Sequence, residues 1–216
     1  VAGALVVLGL GGQNQNRARW LALICSFLAL ALTLFLWCRF DSASGALQFQ
    51  ERYTWIATLG VDYRLGIDGL GLLMLLLSSI VVPIAILASW RIQERVGLYF
   101  SLVLFLQACL FGTFTALNFF HWFIFWELSL VPAFFLIKLW GGPRRTPAAT
   151  QFLIYTMVGS ITLLLAFLAI FLAGGSFDFI ALTQMAQTGQ LAADIAQNLH
   201  WSQWDSGHIS MFLFWG

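Results

Sequence analysis

The chain has 216 residues, of which 61% are hydrophobic, 16% aromatic and only 9% charged, with a formal net charge of +1. An ordinary soluble domain carries charge on about a quarter of its residues, so this composition excludes one and points to a membrane protein, whose length is counted in crossings of about 20 apolar residues. The charge balance and the lack of any basic run exclude nucleic acid as a partner, because phosphate neutralisation requires clustered Lys and Arg.

Uncharged apolar stretches, taken in chain order, predict an all-α polytopic membrane protein. Residues 1–12 are apolar from the start, without a basic n-region or a cleavage site. They read as the end of an earlier, truncated helix rather than a signal peptide. A helix is predicted over 20–38, followed by an outer loop over 39–68. In that loop Tyr53, Trp55 and Ile56 alternate with Thr54 and Thr58, and Gly60 follows, a pattern compatible with a short hairpin. The next helix is predicted over 69–90. The apolar run from Val96 to Trp140 is too long for one crossing, and Gly112, Thr113, Thr115 and Asn118 offer a break, giving helices over 96–117 and 119–140. A helix over 148–173 and an outer loop over 174–208 follow. Within that loop, from Phe179 to Leu199, the recurrence of Leu191, Ile195 and Leu199 suggests an amphipathic interfacial helix, interrupted by Gly189, or equally a plain covering loop. Residues 209–216 start another helix. The whole reads as one membrane domain over 1–216 with six crossings and the opening of a seventh, a piece of a longer chain.

The charges test this layout. Arg17 and Arg19, Arg91 and Arg95 beside Glu94, and Arg144 and Arg145 fall on one side only if the long run is split near Asn118, and the positive-inside bias makes that side cytoplasmic. Trp20, Trp37, Trp90 and Trp140 lie near helix ends, where their amphipathic rings favour the headgroup layer. Cys25, Cys38 and Cys109 have no metal or disulfide spacing and read as packing residues.

Glu127 falls about 13 Å into its helix, nine residues after Asn118 at about 1.5 Å each. An ionised residue near the bilayer centre is disfavoured by about 2.5 to 3.5 kcal/mol on insertion scales, so such acids face the protein interior and mark ion or proton paths. Glu127 is therefore the candidate proton relay; the bland alternative is a protonated carboxyl hydrogen-bonded to a neighbouring helix. Pro132, five residues later, removes a backbone hydrogen bond to Leu128 and is expected to kink or loosen the helix beside the acid. Lys138 shares the face of Glu127 but lies about 16 Å along the axis, so it snorkels to the headgroups or forms a second charged station. His121 is a candidate site of proton exchange with the outer side, or simply a hydrogen-bonding residue. His200 and His208, with Asp205, are too weak a set to predict a metal. No phosphate-binding loop, cluster ligands or paired haem histidines occur, so no cofactor is expected in this chain.

The string Phe125-Trp126-Glu127-Leu128-Ser129-Leu130-Val131-Pro132, then Leu139-Trp140-Gly141-Gly142, Ala148-Ala149-Thr150, Phe152 and Tyr155, together with Gly66-Ile67-Asp68-Gly69-Leu70 upstream, resembles chain 4 of respiratory and photosynthetic complex I (NDH-1). The resemblance implies an antiporter-like, proton-pumping subunit of about fourteen helices built on inverted repeats. It implies that Glu127 pairs with a lysine of the seventh helix, beyond Gly216. It also implies other membrane subunits as partners, a thylakoid or plasma-membrane location, quinone and iron–sulfur clusters held by other subunits, and no catalysis by the isolated chain. Gln151 stands where the family has a lysine, and Lys138 where it has an apolar residue. These departures are compatible with the variant used in cyanobacterial carbon dioxide uptake. A sodium/proton antiporter subunit of Mrp type and a structural membrane scaffold are the alternative readings.

Overall fold

A computed structural model of the chain describes residues 1–11, 14–44, 46–56 and 61–188. The elements run α1 (Ala2–Gly11), α2 (Gln15–Arg39), β1 (Gln48–Ile56), β2 (Val61–Ile67), α3 (Gly69–Ala88), α4 (Val96–Thr115), α5 (Phe119–Trp140), α6 (Arg145–Gly174) and α7 (Phe179–Gln187). Among the described residues α2 to α6 are each long and apolar enough to cross a membrane. With 10 residues, α1 spans about 15 Å, half a hydrocarbon core. The predicted helix over 209–216, the pattern Leu191, Ile195 and Leu199, and Gly60 lie outside the described residues.

Polar side chains, rather than loss of apolar character, set the helix starts. The Asn14 carboxamide accepts the backbone N–H groups of Asn16 and Arg17, so α2 begins five residues before the expected Trp20. Asp68 caps α3 through the N–H of Gly71 at 2.6 Å, and Asn118 caps α5 through that of Phe120 at 2.9 Å. Pro147 in the first turn of α6 leaves no extra donor unmet, which lets this helix start at Arg145. It ends on Gly175, whose φ of 66° closes the last turn in the left-handed region that favours glycine. In the 174–208 segment α7 forms at the start of the stretch from Phe179 to Leu199, because Asp178 caps it through the N–H of Ile180.

The central helix is α4, which packs against α1, α2, α3 and α5. Phe100, Leu104, Val96 and Val103 on α4 are buried with Val82 and Ile86 of α3, and with Ala4, Val7, Ala18 and Ala22 of α1 and α2. Small residues at these crossings permit close backbone approach, the main source of helix association where lipid is as apolar as the core. The Ser101 hydroxyl accordingly reaches the Ala4 carbonyl at 2.8 Å. Gly112 plays the same part between α4 and α5, since a Cβ there would overlap the Phe125 ring.

The loops segregate into two ends. β1 and β2 form an antiparallel hairpin with Tyr53 opposite Tyr63. The α4–α5 turn lies between this hairpin and the start of α7: Leu117 N–H donates to Arg64 O at 3.0 Å, and Phe179 N–H donates to Leu117 O at 3.1 Å. Arg64 and Asp178 form an ion pair across the same junction. At the opposite end Arg19 donates to Ile92 O at 2.8 Å, and the Trp140 indole donates to Glu94 O at 3.0 Å. The loops bearing Arg17, Arg91 and Arg144 therefore share one end, and the break before α5 is what places them there.

Candidate functional site

The site is centred on α5. Glu127 is the ninth residue of this 22-residue helix, and it is half-buried. One carboxyl oxygen, Oε1, is fully buried and has no hydrogen-bond partner among the described residues. One turn before it, Phe123 packs edge-on against Phe167 of α6 with ring centroids 6.5 Å apart. One turn after it, Val131 is exposed. The carboxyl thus sits at the border between the α5–α6 contact and the open side of α5. A buried acceptor without a donor is a deficit of about 1 to 3 kcal/mol, larger if charged, so this position favours a donor or cation arriving from outside the described residues.

Pro132 is buried, and α5 runs through it to Trp140 without a break. Its missing N–H leaves the Leu128 carbonyl, next to Glu127, without its helical donor. Beside it the Ser129 hydroxyl donates to the Trp126 carbonyl at 2.6 Å. Lys138 is exposed at the arginine-bearing end, and its Nζ rests over the Phe134 ring at 5.2 Å. The structure does not bring it to Glu127.

His121 is only 1% exposed. Its ring stacks on Tyr63 of β2 at 4.2 Å and meets Phe125 edge-on at 4.8 Å. The Arg64 backbone lies beside it, but neither ring nitrogen makes a hydrogen bond of ordinary geometry. A cavity of about 440 Å³ opens against it, lined by Thr54, Trp55 and Ile124 among others. On the hairpin, burial and then the negative charge of Glu51 push the Tyr63 phenol above its usual pKa. Six residues separate His121 from Glu127, about 9 Å of rise and about 120° around the helix, so the two do not share a face.

Two features were not singled out from the sequence. Gln107 of α4 is 4% exposed, and its Nε2 is buried without a partner. It borders a cavity of about 420 Å³ that also touches Gly3, Cys25 and Phe111. The signal was a lone amide in an apolar span. The Arg64–Asp178 ion pair joins residues 114 positions apart, and nothing local in the sequence pairs them. His200, His208 and Asp205 lie outside the described residues.

This arrangement defines a polytopic α-helical integral membrane protein with a single carboxyl well inside its fifth helix. The model of the family described as NADH:quinone oxidoreductase/Mrp antiporter, transmembrane, matches residues 116–215. Subunit M of the F(420)H(2) dehydrogenase of Methanosarcina mazei is 41% identical over 186 residues, covering 86% of this chain and 36% of that protein. An NAD(P)H-quinone oxidoreductase chain 4 of Synechococcus elongatus is 36% identical over 180 residues, covering 83% of this chain and 34% of the relative. Respiratory complex I from Thermus thermophilus with bound NADH contains a chain that superposes with a TM-score of 0.70 at 28% identity, covering 83% of this chain and 38% of that one. The chain is similar to these membrane subunits, and it spans about a third of the length of the curated relatives it matches.

Proposed function

We propose that this chain is part of a proton-translocating membrane-arm subunit of a quinone-reducing NDH-1-type complex, with Glu127 as a proton carrier. The observation that carries the reading is the buried, unpartnered Oε1 of Glu127 inside a membrane-crossing helix. Carboxyls inside membrane helices serve ion or proton pathways, and a basic group on a neighbouring helix would be the electrostatic partner of this one. The family resemblance supplies such a group, a lysine of the seventh helix. The carbonyl freed by Pro132 offers water a foothold beside the acid. His121 at the hairpin end and Lys138 at the arginine end are the proposed outlying stations. The 120° offset of His121 requires at least one intervening water or side chain between it and Glu127.

The reading places the arginine end in the cytoplasm, the protein in a thylakoid or plasma membrane, and residues 1–216 in one membrane domain. Quinone and iron–sulfur clusters belong to other subunits, and the isolated chain has no catalytic activity. Relatives named for two different electron donors, F420H2 and NAD(P)H, fit a subunit that itself meets neither donor. The family model also spans Mrp antiporters, which favours a sodium/proton antiporter subunit as the second reading. Isolation of the full-length subunit from its native membrane separates the two. Copurification with quinone-reducing subunits, with proton pumping impaired by Glu127→Gln in an intact complex, is the expected result. Copurification with antiporter subunits alone, and sodium-driven proton exchange, would establish the second reading instead.

A further inference from the structure

We propose that the arginine-bearing end of the molecule binds phosphodiester headgroups of anionic phospholipids, with the turn over residues 141–145 as their principal seat. This goes beyond the proton-carrier reading and does not rest on it. Six arginines, Arg17, Arg19, Arg91, Arg95, Arg144 and Arg145, converge there against one acid, Glu94. The Arg19–Ile92 and Trp140–Glu94 hydrogen bonds draw their three loops into one continuous rim. No arginine of this rim is in an ion pair among the described residues; the two ion pairs present, Arg52–Asp62 and Arg64–Asp178, both lie at the other end. The rim is therefore a concentration of positive charge that Glu94 alone offsets in part, at the level where anionic headgroups lie.

The turn over 141–145 also has the shape for one headgroup. An open cavity of about 450 Å³ is lined by Ile137, Gly141, Gly142, Pro143, Arg144 and Arg145. Arg144 and Arg145 are both exposed. Arg145 uses one nitrogen on the Leu139 carbonyl at 2.7 Å and keeps its remaining donors free. Planar guanidinium groups match phosphate oxygens, and their weak hydration favours that exchange. The lining includes the apolar side chains of Ile137, Pro143 and Ala148, and Ile137 belongs to the membrane-crossing α5. A phosphate that carries acyl chains suits this position better than free phosphate, which would gain nothing from the apolar wall. Trp20 and Trp90, in edge contact at 5.4 Å, with Trp140 in the same rim, set the headgroup level.

The test uses the assembled complex containing the full-length subunit, delipidated in neutral detergent. It is titrated with phosphatidylglycerol, phosphatidylcholine or inorganic phosphate, and bound lipid is read by mass spectrometry. Phosphatidylglycerol is expected to bind at least about tenfold more tightly than phosphatidylcholine, given roughly 1 kcal/mol per basic residue near anionic lipid. Raising the salt should weaken this binding, and inorganic phosphate at equal concentration should not displace the lipid. Paired Arg144→Gln and Arg145→Gln should remove most of the preference, whereas Arg144→Lys with Arg145→Lys retains charge and should keep much of it. Arg52→Gln, at the other end, should leave it unchanged. Equal binding of the two lipids, an unaffected Gln pair, or displacement by phosphate would overturn the proposal. If the Gln pair fails to assemble, binding to the unsubstituted complex that is indifferent to both headgroup charge and salt overturns it equally.

Discussion

Single side chains at the hairpin end fix where α5 begins, and hence how deep Glu127 lies. Asn118 caps the helix through Phe120 and is itself 3% exposed. Its replacement by Ala should destabilise the protein by about 1 kcal/mol, while Asn118→Asp, which still accepts from Phe120, should lose less; thermal unfolding of the detergent-solubilised protein measures both. The neighbouring Arg64–Asp178 pair is partly buried, with side chains 21% and 25% exposed. Arg64→Gln or Asp178→Asn should each lower stability by about 1 to 2 kcal/mol, because each strands its partner in a half-dry site. A double-mutant cycle should return a clearly favourable coupling, and strict additivity would reduce the pair to a surface contact.

At the scale of helices, what was legible in the sequence was the apolar length of each crossing and the need to break the long run before residue 119. Apolar length demanded that break, and the polar or small residues Gly112, Thr113, Thr115 and Asn118 offered its place; the capping of the next helix by Asn118 is what the structure adds. The starts of α2 and α6 were misplaced by three to five residues: Arg17, Arg19 and Arg145 look like loop residues by polarity, but the first turns of membrane helices tolerate snorkelling cations. The hairpin was readable from the alternation around Tyr53, but its docking onto the α4–α5 turn and α7 was not, since that depends on contacts between residues far apart in sequence. The position of Glu127 was legible from spacing alone; the stacking of His121 on Tyr63 and the burial of Gln107 were not. Close packing of α4 on α5 has its own test at Gly112. Gly112→Ala should cost about 1 to 3 kcal/mol through overlap with the Phe125 ring, and Phe125→Leu in the same chain should recover part of the loss. Unchanged stability in Gly112→Ala would mean the two helices are not in tight contact there.

For the whole molecule, the two ends differ in charge as well as structure: six arginines and Glu94 at one, and three arginines with Asp41, Glu51, Asp62, Asp68 and Asp178 at the other. By the positive-inside bias, the excess of arginines predicts that the first of these ends faces the cytoplasm. With the exposed Cys38 replaced, single cysteines beside Arg17, Arg91 and Arg144 should all label from the cytoplasm, and one at Ser42 from the opposite side only. Labelling of the Arg144 loop from the outer side would contradict the helix count. The central claim is that a carboxyl in the fifth helix of this assembly carries protons, and the most direct measurement is proton pumping by the intact complex with Glu127 replaced by Gln or by Asp. A relay requires an ionisable group, so pumping should fall severely with Gln and survive in part with Asp. Pumping with Gln equal to the unsubstituted complex, with Asp the worse of the two, would show that Glu127 only fills space and accepts a hydrogen bond.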